Sequence, residues 1–159
     1  MTTTKPIRRH PALVSFSKDH HFGLLLIWKI RQGIRKAIEN KRIIDYVVFF
    51  FKEDLRNHFR EEEETIFILL APTDVYRKKA EAEHQLIYEL VKTLEVPGAD
   101  EVLLSQFADL LESHIRFEER TLFNHLQKVT EEHVLEAVLT ANDRPHEDVD
   151  LRWQDKFWE

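Results

Sequence analysis

His58-Phe59-Arg60-Glu61-Glu62-Glu63-Glu64-Thr65-Ile66-Phe67 is answered fifty-six residues later by His114-Ile115-Arg116-Phe117-Glu118-Glu119-Arg120-Thr121-Leu122-Phe123. Both stretches carry His-x-x-x-Glu followed by a phenylalanine at one fixed offset, and an acid-His pair precedes each, Asp19-His20 and Glu83-His84. On a helix, residues i and i+4 stand one above the other about 6 Å apart, so each His-x-x-x-Glu aims two donors at one place. The duplication therefore supplies four imidazoles and two carboxylates, a mixture that suits a pair of non-haem irons inside a helical bundle.

Working outward, the chain reads as long helices joined by tight turns. It has only three glycines and five prolines, and Pro72 and Pro97-Gly98 stand where helices should stop. Ser17 is expected to cap a first helix running to about residue 40, and the second spans roughly 43–70. Thr73 or Asp74 caps a third to about 95, and Asp100 a fourth to about 129. On the fourth, Leu103, Leu104, Phe107, Leu110, Leu111, Ile115, Leu122 and Leu126 make a helical stripe. Short connections make neighbouring helices antiparallel, so the expected fold is an all-α, up-down-up-down four-helix bundle with a short carboxy-terminal helix and tail. The parts are an extension at 1–14, the bundle at 15–130, and at 131–159 a helix of about 131–140 with an acidic tail carrying Trp153, Phe157 and Trp158. Those aromatics are expected to pack back on the bundle or across a homodimer seam.

The gross numbers narrow the chemistry. At 159 residues, one domain can bury a core without staples. With no cysteine, thiolate-zinc sites, iron-sulfur clusters, disulfides and cysteine nucleophiles are all excluded, so any metal is held by nitrogen and oxygen. A net charge of -6 spread along helices argues against a nucleic-acid partner. No secretory pattern opens the chain and its apolar runs are too short for a membrane span, so it reads as cytoplasmic.

Counting from the turns at about 1.5 Å per residue puts His20, His58, His84 and His114 at one level to within about one turn. A lone His-x-x-x-Glu arises by chance about once in such a composition; the weight lies in the shared frame and the level. The plain alternative is a metal-free bundle whose histidines are satisfied by neighbouring acids. A solvated face is expected for most of Glu61, Glu63, Glu64 and Glu119. His10, His133 and His146 are expected at the surface, and His125, whose counterpart in the first copy is Leu69, in a structural role. A ferritin-like site needs Glu-x-x-His twice, and only Glu81-x-x-His84 fits.

These residues resemble the hemerythrin-like, or HHE cation-binding, family, whose duplicated signature of His, then His-x-x-x-Glu, covers residues 20 to 118. The resemblance implies that His20, His58, Glu62, His84, His114 and Glu118 hold a di-iron centre with both glutamates bridging. Oxygen-carrying hemerythrins add a His four residues after the third-helix ligand and an Asp five after the fourth-helix His; here those positions are Tyr88 and Glu119. The chain is thus more similar to bacterial hemerythrin-like proteins associated with oxygen or iron sensing, nitric oxide and peroxide. The first ligand lies between His20 and His21, which point about 100° apart. His20 is favoured, because Asp19 before it mirrors Glu83 before His84.

Four imidazoles, two bridging carboxylates and an oxo or hydroxo bridge leave one position open on each of two octahedral irons. Dioxygen, peroxide or nitric oxide is the small-molecule ligand this suggests. Zinc or manganese would also accept these donors. Three readings stand side by side: a binding or sensing protein; a di-iron enzyme that decomposes peroxide or reduces nitric oxide; and a metal-free helical adaptor. No catalytic residue is assigned, and Tyr88 is either a hydrogen-bond donor to bound oxygen species or core.

Overall fold

The computed structural model describes residues 8–142 and 145–159, and every regular element among them is helical. The first seven residues of the expected extension lie outside this range. Helix α1 spans Pro11–Arg35. It starts before Ser17 because His10 caps it, Nδ1 accepting from the Ala12 N–H at 3.0 Å, and Pro11 suits a first turn that needs no N–H. It ends before residue 40 because Ala37 adopts φ 54° and the Ile38 N–H returns to the Gly33 carbonyl at 3.0 Å. Glycine usually marks that left-handed stop, and here an alanine takes it.

The expected second helix is a rod in two parts, α2 (Asn40–Phe50) and α3 (Arg56–Thr65), with a π-helical turn at Phe51–Leu55 between them. A tight turn at Phe67–Leu69 then leads to Pro72. Asp74 caps α4 (Val75–Leu94) by accepting from the N–H groups of Tyr76 and Arg77 at 2.9 and 3.1 Å. Asp100 caps α5 (Glu101–Phe117), which passes through a second π turn, Glu118–Leu122, into α6 (Phe123–Val129). Helix α7 covers Glu132–Ala141, and a short 3-10 turn, Val149–Arg152, lies in the tail. A π turn takes up extra residues and rotates the remainder of the rod by about 100° per residue inserted. The first π turn ends three residues before His58, and the second begins at Glu118.

Helix α1 packs on α5 and α2, and α4 packs on α5 and α2. The buried side chains form two apolar clusters. One contains Leu26, Ile30, Val47, Phe59, Ile87 and Leu111, the other Leu13, Phe16, Phe67, Ala80, Leu122 and Phe123. Along every rod the change from one cluster to the other falls at one of the repeat's polar residues: His20, Glu62, His84 or Glu118. The tail packs back on the bundle. Phe157 and Trp158 are buried beside Tyr46, and Lys29 lies 4.2 Å over the Trp158 ring. Lys29 and the Tyr46 hydroxyl both bond Asp150. Among the described residues no helix is long and apolar enough to cross a membrane.

Candidate metal centre

Between the two clusters the six residues meet. His20 Nε2 stands 3.1 Å from Glu118 Oε1 and 3.8 Å from Glu62 Oε2, and His58 Nε2 is 3.3 Å from Glu62 Oε1. On the other side His84 Nε2 lies 3.3 Å from Glu62 Oε1, and His114 Nε2 lies 3.0 Å from Glu118 Oε1. Two donor groups result, His20-His58-Glu62-Glu118 and Glu62-His84-His114-Glu118, each with ligand atoms within 4.8 Å of one another. Both glutamates belong to both groups. All six residues are buried. His21, by contrast, is exposed, its ring edge against Phe22.

Each imidazole is held from behind by a carboxylate. The contacts are His20 Nδ1 to Glu119 at 2.7 Å, His58 Nδ1 to Asp19 at 3.0 Å, His84 Nδ1 to Glu63 at 2.8 Å and His114 Nδ1 to Glu83 at 2.8 Å. A carboxylate can only accept, so every Nδ1 carries a proton and every Nε2 faces inward. The four links form a ring: each rod supplies the carboxylate for the histidine of the next rod in chain order, and the last supplies the first. The supports sit at fixed places in the repeat, one residue before the first histidine of each copy and one after its glutamate. Glu63 and Glu119 thus depart from the expected solvated face; they direct their charge at His84 and His20. Glu64 is exposed as expected.

The recurring phenylalanines have reciprocal tasks. Phe67 of the first copy lies against His84 at 5.4 Å between ring centres, and Phe123 of the second stacks on His20 at 5.5 Å. Phe59 stacks closely on His84 at 3.9 Å. Tyr88 packs edge-on against Phe51 and Phe59 and is absent from the wall of the small cavity beside His20, His58 and His114, which favours its reading as core. His125 is structural, bonding Asp74 at 2.7 Å; His133 is exposed, and His10 caps α1. His146 is a correction: it reaches Asp19 and Asp54 at 2.6 and 2.8 Å and is no plain surface residue.

The electrostatics stem from burial. Desolvation opposes charge on every ring, but the carboxylates outweigh it, and His58 is pushed up to about 10 by Glu62 and Asp19. Against the same desolvation Glu118 and Glu83 push His114 up to about 9, and His20 and His84 are also raised. Burial would raise the Glu62 carboxyl, yet the surrounding histidines hold it well below its usual range. The polypeptide's own means of balancing these carboxylates is thus to protonate the rings.

The sequence model described as Hemerythrin HHE cation binding domain matches residues 18–126, more than half of the chain and all six convergent residues. The chain belongs to the hemerythrin HHE family. No curated protein and no solved structure matched it. The donor set fits the cation this HHE domain's description calls for. His58 Nε2, both oxygens of Glu62 and Glu118 Oε2 are buried with no hydrogen bond, a costly state for polar atoms unless a cation meets them. His84 Nε2 and His114 Nε2 stand 3.1 Å apart, two inward nitrogens close enough for one ion to take both as ligands in place of the protons. Nitrogen and carboxylate oxygen are donors for iron, zinc or manganese alike.

Proposed function

We propose that this hemerythrin HHE protein holds two iron ions on His20, His58, Glu62, His84, His114 and Glu118, and binds dioxygen, peroxide or nitric oxide there in sensing or stress handling. The observation that carries this reading is the sharing of both glutamates by two histidine pairs, since one carboxylate can bridge two ions but a single ion cannot use donors on both sides. The up-down-up-down order of four rods belongs to the same reading, supported by the short connections and by the packing of α1 and α4 on both α2 and α5. Bound iron would supply a change of redox state and open coordination positions.

The chain's own residues do the rest. Beside His20, His58 and His114 lies a cavity of about 10 Å³ walled largely by Gly23, Phe50, Leu55, Phe59, Leu111 and Ile115, room for about one water-sized molecule. That size favours a diatomic or peroxide over any larger substrate. The apolar side chains limit water, and the outer carboxylates fix ring orientation and raise the basicity of each inward nitrogen.

The test is metal analysis and an optical spectrum of the full chain, repeated after reduction and exposure to oxygen, peroxide and nitric oxide. About two irons per chain and a ligand-dependent spectrum are expected. Reversible oxygenation would favour sensing, and catalytic loss of peroxide an enzyme. Replacing Glu62 and Glu118 by alanine should empty the site; unchanged iron content in that double variant overturns the assignment.

A further inference from the structure

We infer that His146, in the carboxy-terminal tail, is a positioning residue of the metal centre, acting through Asp19 on the ring of His58. The inference rests on the metal-holding role proposed for His58. His146 Nδ1 donates to Asp19 Oδ1 at 2.6 Å and its Nε2 to Asp54 Oδ2 at 2.8 Å, while the other oxygen of Asp19 accepts from His58 Nδ1 at 3.0 Å. Two proton-bearing nitrogens facing two carboxylates make His146 an imidazolium, and the pair pushes it up to about 9 against its own burial. Its plane is fixed by Phe22, which stacks on it at 3.9 Å with the rings 10° from parallel.

The consequence for His58 is mechanical. Asp19 and Asp54 are like charges brought to the same side chain, and without a cation between them they would repel and turn toward the adjoining polar pocket of about 230 Å³. Asp19 would then cease to hold His58 Nδ1, and the ring would be free to rotate or change tautomer. Glu63, Glu83 and Glu119 support the other three rings, and among the described residues none of the three bonds the tail. Arg9, ahead of α1, steadies Glu119 behind His20, and His58 is the histidine whose orientation depends on the carboxy-terminal tail. The tail itself is anchored elsewhere, by Asp150 on Lys29 and Tyr46 and by the buried Phe157 and Trp158.

The two anchors can be separated by experiment. Full-length chain is loaded with iron, and release of ferrous iron to a chelator under reducing conditions is timed for wild type, His146→Ala, His146→Gln and Phe157→Ala, beside the melting temperature of each. His146→Ala should release iron at least about tenfold faster with little change in melting, in line with the usual loss on removing an outer support of a ligand. His146→Gln keeps one donor nitrogen, without the charge, and should fall between; it also carries the comparison if the alanine variant does not fold. Phe157→Ala should lower the melting temperature and leave the release rate near wild type. Equal release rates for wild type and both His146 variants overturn the inference, as does acceleration that merely tracks lost stability across all variants. A wild-type chain that takes up no iron overturns the metal reading as well, and is told apart by failing before any variant is compared.

Discussion

Glu83 accepts a hydrogen bond from His114 Nδ1 at 2.8 Å, although its neighbour in sequence is His84. The acid-His pair is thus a pair in sequence only; successive helical residues point about 100° apart, so the acid serves the next rod while the histidine serves the centre. Lys79 lies 3.6 Å from Glu83 and helps keep it ionised. Glu83→Gln should weaken metal binding about 10- to 100-fold, because an amide can no longer dictate which nitrogen of His114 bears the proton. Metal titration of the variant beside its circular dichroism checks this; full affinity with an intact helical spectrum would show that the outer carboxylates do not orient the rings.

Asp74 caps α4 and also accepts from His125 at 2.7 Å. Burial tends to raise its carboxyl, but His125 and the N–H groups of Arg77 and Tyr76 lower it below 3.8. A carboxylate lowered on folding contributes stability above its unfolded value and loses it as pH falls through the folded one. Asp74→Ala should cost about 0.5–2 kcal/mol at neutral pH. The gap from wild type should hold down to about pH 4 and close at lower pH. Denaturant melts of both proteins across that range would decide, and a gap constant into strong acid would mean that the cap acts without its charge.

Much of this architecture is legible in the sequence. The periodic apolar stripe and the caps Asp74 and Asp100 give rods at nearly their true ends, and the repeated His-x-x-x-Glu locates the six residues that converge. The features that escape have physical causes. Ala37 takes a left-handed stop that is ordinarily sought at glycine, so the sequence makes α1 look longer than it is. The π turns leave no mark in a pattern of apolar residues, because an inserted residue on a rod looks like any other. A run of acids usually faces solvent, which hides Glu63 and Glu119, although each stands directly after its shared glutamate at the same place in both copies, a signal that is there to be read. His146 has none: only the path of the tail brings it to Asp19.

Gly33 makes room for the tail. A Cβ there would stand 2.8 Å from Phe157 Cε2 and 2.8 Å from Ile43 Cδ1. The ring of Phe157 is rigid and fully packed, so it cannot yield as a flexible chain end would. Gly33→Ala gains helix propensity of about 0.5–1 kcal/mol, but overpacking costs about 1–3 kcal/mol, so net destabilisation is expected. Chemical denaturation read by tryptophan fluorescence would report it, since Trp158 adjoins the displaced ring. A variant as stable as wild type would mean that Phe157 has another place to go.

Gly23 poses the opposite balance beside the centre. A Cβ there would meet only Ile115 Cδ1, at 2.9 Å, and that atom is the free end of a flexible side chain. Gly23→Ala gains the same helix propensity while the isoleucine shifts, so stability should change by less than about 1 kcal/mol. Both residues line the 10 Å³ cavity against His20, His58 and His114, and an added methyl with a displaced Ile115 removes most of a space that size. Iron content should therefore match wild type while nitric oxide binds the reduced protein more slowly, as read by stopped-flow absorbance. Slower binding with lost iron would mean that the methyl disturbs the imidazoles. An unchanged rate with unchanged iron would mean that small molecules approach the metal pair from another side, and the apolar cavity would lose its place in the proposed function.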